Sequence, residues 1–377
     1  MHDGKIFEDK GINALGIGAT AKAISIAEAE ARKPAICGLR TLKANAGIAE
    51  SPTRSDCRKA GAKGNAQNNK GIKMKYRGHE TFSIRKNWLA KGLEAVAGNA
   101  AIFTDKKIEA MDELGIGRNM VFALRYWLKA VGLTSEEKVE RQTKTVFTPL
   151  GKMIFENDPY VEEIGTLWLL HHVLATNKDF ATSWYFFFNE FNLAEFSKED
   201  FVGALESFDR MNGGSAAHSS FEGDFECLLN TYISRFKTET EADPEDNMDC
   251  PFAELGLVDF ARSVEGKKIY RKVIPPKQNI PPLIFLAALY GNENGTGVGV
   301  WSGTGNGEVL LSDIQNKAGG AAKIFNLDVI TLMDILGQLE NLDLIRIVRT
   351  AGLDVIRLNE NEDYFSCIKK YYAELKK

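Results

Sequence analysis

Residues 104–156, TDKKIEAMDELGIGRNMVFALRYWLKAVGLTSEEKVERQTKTVFTPLGKMIFE, constrain the fold more than any other part of the chain. Apolar residues recur at helical spacing over 106–114 and again over 118–131, where Val121, Leu124, Trp127 and Leu128 share one face. Thr104 or Asp105 caps the first helix, Gly115-Ile116-Gly117 forms a turn, and Gly132 stops the second helix. Residues 140–148 have strand character, with Lys144-Thr145-Val146-Phe147 running into the Thr148-Pro149 start of a further helix. A short helix, a turn, a longer helix and a two-stranded wing form the order of a winged helix-turn-helix. With its apolar face turned inward, the long helix directs Arg118, Asn119, Phe122 and Arg125 outward near its N-terminal half, where such helices meet base edges. Arg141 and Lys144 on the wing are expected against phosphates. The competing reading is a winged helix that contacts only protein.

Charge places a limit on that expectation. The net charge is −4; residues 1–73 carry 13 lysines and arginines against 7 acidic residues, which leaves 34 against 44 for residues 74–377. A nucleic-acid site on the patterned part has to be a local patch. Residues 1–73 are rich in Ala, Gly and Lys, hold no Trp or Tyr, and are expected to be a disordered tail or an extraneous upstream extension. Gly16-Ile17-Gly18-Ala19 reads as an ordinary loop, because a dinucleotide loop needs a preceding strand and a βαβ pattern that are missing here. No apolar run reaches the ~18 residues of a membrane span. Met1 leads into polar, acidic residues instead of a secretory signal. Cys37, Cys57, Cys227, Cys250 and Cys367 form no CxxC pair, which argues against a disulfide framework or a zinc ribbon. The expected location is the cytoplasm, with no membrane partner.

Residues 74–82, MKYRGHETF, precede a helix over 84–97 whose apolar face is Trp88, Leu89, Leu93 and Val96. Residues 158–196 read as two packed helices. Trp168, Trp184, Tyr185, Phe186, Phe187 and Phe188 are assigned to core and not to a base-stacking platform. The adjacent His171 and His172 point in different directions on a helix and are assigned to core or an interface. Helices follow over 201–208, led by Ser197, Glu199 and Asp200, and over 221–236, bearing Asp224, Glu226 and Cys227. The pairs Pro275-Pro276 and Pro281-Pro282 rule out a regular helix over 270–282, whereas 282–290 reads as helical. Gly303-Thr304-Gly305-Asn306-Gly307 lacks the Lys-Ser/Thr of a phosphate loop and is read as a flexible loop. The last segment repeats the opening, with helices over 310–317 and 327–342, a hairpin over 344–358 bearing Arg346, Arg349 and Arg357, and a helix over 363–376. The predicted fold is mainly α with small β-wings, an α+β chain. Its expected parts are the extension 1–73, a winged-helix DNA-binding domain at 74–157, a helical domain at 158–300 and a second winged-helix-like domain at 301–377.

Several motifs resemble those of a bacterial family named only as a domain of unknown function. They are Arg77-Gly78-His79-Glu80-Thr81-Phe82, Leu114-Gly115-Ile116-Gly117-Arg118-Asn119-Met120 with Leu124-Arg125-Tyr126-Trp127, Thr148-Pro149-Leu150-Gly151 and Asp158-Pro159-Tyr160. Thr166-Leu167-Trp168-Leu169-Leu170-His171, Ala181-Thr182-Ser183-Trp184-Tyr185, Asp249-Cys250-Pro251, Glu254-Leu255-Gly256-Leu257 and Thr350-Ala351-Gly352-Leu353 continue the likeness in order. It spans roughly residues 74–358 and leaves 1–73 without a counterpart. Members of that family look like the SspB component of bacterial Ssp-type DNA phosphorothioation and anti-phage systems. The resemblance implies double-stranded DNA as ligand and cysteine desulfurase, ATPase and PAPS-reductase-like proteins as partners. It also implies nicking or holding of DNA so that sulfur can replace a backbone oxygen. The alternative is a non-catalytic DNA-binding adaptor or a transcription-type regulator.

A nickase has to activate a water or hydroxyl and hold the scissile phosphate, commonly with a divalent ion such as Mg or Mn. The candidate catalytic residues are His79 as base and Glu80 as carboxylate, with Arg77 on the phosphate; in an extended segment Arg77 and His79 face the same side. The bland reading has His79 and Glu80 capping the next helix. Asp158, Glu162 and Glu163 form a second acidic cluster, in which Asp158 is more simply an N-cap, and Asp246 with Asp249 a third. HNH, GIY-YIG and PD-(D/E)xK nuclease motifs are absent from the sequence.

Overall fold

The computed structural model describes residues 74–105, 110–234, 250–291, 307–350 and 353–377. The readings made on residues 1–73, on Asp246 and Asp249, and on Gly303 to Asn306 lie outside the described residues.

Helix α1 (Trp88–Gly98) buries Trp88, Leu89, Leu93 and Val96, the face expected from their spacing. It begins four residues later than expected, because Asn87 sits at φ 69 and turns the chain just ahead of it. Helix α2 (Ala110–Leu114) ends at Gly115, whose φ of 62 is cheap only for glycine. Helix α3 (Arg118–Ala130) buries Val121, Leu124, Trp127 and Leu128. The Trp127 indole N–H donates to the Phe82 carbonyl at 2.8 Å, tying α3 to the segment before α1. Strand β1 (Thr134–Val139) pairs antiparallel with β2 (Gln142–Phe147) around Glu140 and Arg141. The hairpin therefore starts six residues earlier than the sequence reading placed it, at Thr134. The Thr145 N–H donates to the Ala100 carbonyl at 2.7 Å, so the chain leaving α1 lies along β2.

Thr148 caps helix α4 (Pro149–Asn157) through Gly151 N–H at 2.9 Å, with proline in the first turn where its missing N–H costs nothing. Gly151 is required by packing, since a Cβ there would lie 1.8 Å from the Leu133 carbonyl oxygen. Helices α5 (Ile164–Thr176) and α6 (Thr182–Asn189) are buried nearly all round. Trp168, Trp184, Tyr185, Phe186, Phe187 and Phe188 are core, as expected. His171 and His172 are core as well. The His171 ring donates from Nε2 to the Ile324 carbonyl at 3.0 Å and accepts the Tyr232 hydroxyl at Nδ1, 2.8 Å away. Burial pushes His171 down to about 3 and His172 to about 4.

The 158–163 stretch differs from its expected helical form. Asp158 ends α4, and its carboxylate accepts the N–H groups of Glu162 and Glu163, both at 3.0 Å. Val161 sits at φ 56, so Asp158 and Glu162 share no helical face, and Asp158 organises a turn and is not the N-cap of α5.

Strand β3 (Glu195–Phe196) precedes α7 (Lys198–Met211), which opens with a capping box between Ser197 and Asp200. Helix α8 is His218–Tyr232. Strands β4 (Val258–Val264) and β5 (Lys267–Lys272) form a hairpin, and β3 completes an antiparallel sheet in the order β3-β5-β4. The part expected to be purely helical thus carries a sheet of its own. Helix α9 (Pro282–Tyr290) starts on the second proline pair and buries every residue from Leu283 to Leu289. It packs against α5, α12 (Val329–Asn341) and α13 (Tyr364–Leu375). Between them lie β6 (Glu308–Leu310), α10 (Leu311–Asn316), α11 (Ala321–Ile324), β7 (Ile345–Thr350) and β8 (Leu353–Leu358). Their sheet runs β6-β8-β7, all antiparallel. The fold is α+β, with helices predominating and three small antiparallel sheets among the described residues. The described residues from 74 onward belong to one compact unit.

Candidate nucleic-acid interface

The outward start of α3 is built from what its N-cap lacks. Gly117 offers no side chain to accept the first helical N–H groups, so that helix end keeps donors and the positive end of its dipole toward solvent. Arg118 and Asn119 are exposed there. Phe122, one turn on, is 43% exposed, with the Arg118 guanidinium 5.7 Å from its ring centroid. Arg141 is exposed at the tip of the β1–β2 hairpin, and Lys144 is half-buried in β2 opposite Glu137.

Arg125 is placed differently from its expected role. Its Nε and Nη2 both reach Glu136 Oε1 at 2.9 Å, and Lys129 Nζ joins the same oxygen at 3.1 Å. Burial acts to raise the Glu136 carboxyl, but Lys129 and Arg125 outweigh it and hold the group below the ordinary carboxylate value. These two cations fasten the hairpin to α3, so of the predicted contacts Arg118, Asn119 and Arg141 remain fully outward, among other exposed hairpin residues such as Glu137, Lys138 and Glu140.

The segment holding Arg77, His79 and Glu80 is a tight turn and not an extended strand. Arg77, Glu80 and Thr81 all have φ between 48 and 72. Left-handed backbone costs a non-glycine residue about 1 kcal/mol or more each. Arg77 and Glu80 point to solvent, whereas His79 is fully enclosed, so Arg77 and His79 do not share a face. The His79 ring stacks on Trp127 at 6.0 Å and meets Trp184 edge-on at 5.7 Å. Its Nδ1 accepts the Thr81 N–H at 3.1 Å, which leaves Nε2 as the donor to Asp224 Oδ1 at 2.8 Å.

Asp224 is the hub of this turn. It also accepts the Arg77 backbone N–H at 2.9 Å on Oδ1 and the Ser183 hydroxyl at 2.5 Å on Oδ2. Serine and histidine both bond the carboxylate and not each other, so this is no nucleophile–base relay. Its chemistry is that of a lock, three donors on one carboxylate that is 1% exposed. The sequence carried a signal for it: Asp224 stands in the apolar stripe of α8 between Phe221, Phe225 and Leu228, and a charge in a buried stripe needs buried partners.

Glu162 lines a cavity of about 200 Å³ with Arg85, Lys86, Tyr160 and Glu254, apart from the His79 turn. Among the described residues no group of three or more His, Cys, Asp or Glu side chains is arranged to hold a metal ion. Glu80, Asp158, Glu162 and Glu163 belong to no such group.

The family described as Protein of unknown function (DUF4007) matches residues 76–372, which include the His79 turn, α3 and both outer hairpins. The chain belongs to this family. Among curated proteins none matches. Two solved structures are similar in fold to this family member. One, described as an SspB crystal structure, aligns with a TM-score of 0.66 and 24% identity over 79% of this chain and 88% of the other. The second, a magnesium ion-bound SspB crystal structure, gives 0.66 and 23% over the same shares.

Proposed function

We propose that this protein is the DNA-holding subunit of a phosphorothioation system of the SspB kind, and that α2, α3 and the β1–β2 hairpin act as a winged helix on duplex DNA. The observation that carries the reading is the start of α3, where an uncapped helix end, Arg118 and Asn119 face solvent beside a hairpin tipped by Arg141. On an acidic body this is the local patch that duplex binding requires. Likeness to SspB in fold and motifs supports cysteine desulfurase, ATPase and PAPS-reductase-like proteins as partners and the cytoplasm as location. No helix among the described residues is long and apolar enough to cross a membrane. The test is duplex affinity against salt by fluorescence anisotropy. Arg118→Ala is expected to weaken binding about tenfold and to flatten the log–log salt slope by about one. Binding indifferent to salt and to Arg118→Ala would leave the module a protein-contact surface.

The nicking reading places His79 and Glu80 at the scissile phosphate, with Arg77 holding it and Mg or Mn assisting. One observation favours the non-catalytic adaptor instead: His79 is enclosed and both of its nitrogens are engaged, so it serves as a base only if the turn opens. Plasmid nicking with Mg²⁺ or Mn²⁺ separates the two. A clean preparation that nicks, and loses activity in Glu80→Ala while keeping its fold, establishes the catalytic reading.

A further inference from the structure

A cleft of about 410 Å³ opens where the end of α6 and strand β5 meet α10 and α11. Its polar lining is Lys272, Lys323, Asn192, Gln315, Asn316 and Asn326, and no carboxylate is among the described residues that line it. The Lys272 ammonium donates to the Phe187 carbonyl at 2.7 Å and the Phe191 carbonyl at 2.5 Å, and it lies 4.5 Å from the Phe187 ring centroid. Lys323 donates to the Asn316 carbonyl at 3.1 Å. The Phe187 and Asn316 carbonyls lie in the last turns of α6 and α10, and the Phe191 carbonyl just beyond α6, so each lysine sits at the partial negative charge of a helix C-terminus. A helix C-terminus carries a partial charge of about half a unit, which does not neutralise a protonated lysine. Neither lysine has an ion-pair partner among the described residues.

Lys272 of β5 and Lys323 of α11 line one roomy cleft with amides, and no described carboxylate accompanies them; the component that would complete it is an anion. We propose that this cleft is an oxyanion site that takes a phosphate group, with Lys272 and Lys323 as its cationic walls and the Asn and Gln amides as further donors. Apolar Leu193, Ile274 and Leu327 line the remainder and suit a ligand of mononucleotide size in which a flat base accompanies the phosphate. The phosphate belongs either to a free nucleotide or to a DNA strand; the chemistry is shared. The inference stands independently of duplex binding by α3.

Burial, and after it the nearby Lys323 charge, together lower the Lys272 ammonium to about 7. Lys323 is the other titratable group in the lining; the α6–β3 and α10–α11 walls otherwise bring amides and apolar side chains. Anion binding at slightly alkaline pH therefore draws a proton onto Lys272. Isothermal titration calorimetry on the full chain reads this directly, with inorganic phosphate, dAMP and a 5′-phosphorylated duplex as probes. dAMP is expected to bind with a heat that varies with the ionisation enthalpy of the buffer. Lys323→Gln is expected to loosen it about tenfold with circular dichroism unchanged, and Arg118→Ala to leave it intact. Lys272→Met is the stronger variant; if it does not fold, the half-buried Lys323 carries the test. Displacement of dAMP by the phosphorylated duplex assigns the phosphate to DNA, and no displacement assigns it to a free nucleotide. Absence of heat from phosphate and dAMP at millimolar concentration overturns the proposal, as does binding that Lys323→Gln leaves untouched.

Discussion

The two ends of the described chain share a connectivity and differ in chemistry. In one, the short helix α2 leads to the 13-residue α3 and the β1–β2 hairpin; in the other, the short helices α10 and α11 lead to the 13-residue α12 and the β7–β8 hairpin. The long helices begin in opposite ways. Gly117 leaves the start of α3 uncapped beside Arg118 and Asn119, whereas the Asp328 carboxylate caps α12 by accepting the Thr331 N–H at 2.8 Å. Val329 and Ile330 follow Asp328 and are 58% and 74% exposed. A capped, negatively charged, apolar helix start disfavours phosphate, whereas the uncapped start beside Arg118 is the one proposed to meet it. The hairpins differ too. Arg346 and Arg357 lie cross-strand on β7–β8, and Arg357 is committed to Glu308 at 2.6 Å. The same backbone order thus presents helix starts of opposite electrostatic character, set by the side chains there.

The anchors of the two regions offer the largest test. The C-terminal region meets α5 at His171, whose Nε2–H donates to the Ile324 carbonyl and whose Nδ1 accepts the Tyr232 hydroxyl only while the ring is neutral. With folded values of about 3 and 4 against 6.5 for His171 and His172, the unfolded chain takes up protons first as pH falls. Stability is full above about 6.5 and is lost progressively as pH drops toward 4 and then 3. Urea midpoints measured across that range are expected to fall by several kcal/mol in free energy, and His172→Leu to flatten the slope.

Next in size is the anchor of the N-terminal region. Asp224→Ala strands three donors, two of them buried, and is expected to cost about 3 kcal/mol or more. Hydrogen exchange should quicken over residues 74–82 and α3 while α12 to β8 stay protected; uniform quickening would mean that the two regions do not have separate anchors. Asp224→Asn keeps the acceptor on Oδ1 and is expected to cost less.

The contact surfaces come third. Arg118→Ala is expected to cost duplex binding about 1.4 kcal/mol, with Arg346→Ala costing a fraction of that. Equal losses break the comparison and make both regions DNA-facing. The smallest effect transplants one helix start onto the other. Gly117→Asp, at φ −64 with only Met120 sulfur at 3.8 Å from a new Cβ, installs a cap like that of Asp328. It is expected to stabilise α3 by about 0.5–1 kcal/mol while weakening duplex binding severalfold.

Elements whose residues answer to their own neighbours were legible in the sequence. Helix α9 begins on Pro282 because the proline pair permits no other start, and α3 shows its buried face in Val121, Leu124, Trp127 and Leu128. The β4–β5 hairpin escaped notice. Only Val258 in β4 is buried, so the strand lacks the apolar alternation that marks a half-buried sheet. Glu265 and Gly266, both at positive φ, make its turn, a cue that the nearby prolines outweighed.

The candidate site divides along the same line. Spacing along α3 was enough to place Arg118 and Asn119 outward, since a helix face is a local property. By itself the sequence determined the helices, the repeated helix-turn-helix-hairpin order and the family motifs, each written in a short window. Tertiary structure decided which charges remain available. It joined Arg125 to Glu136, closed His79 behind Asp224 and Ser183, and set Lys272 and Lys323 in one cleft. Those partners lie between 11 and 145 residues apart in sequence for the first two pairings, and hydrogen bonds or charge between such distant groups leave no periodicity to read.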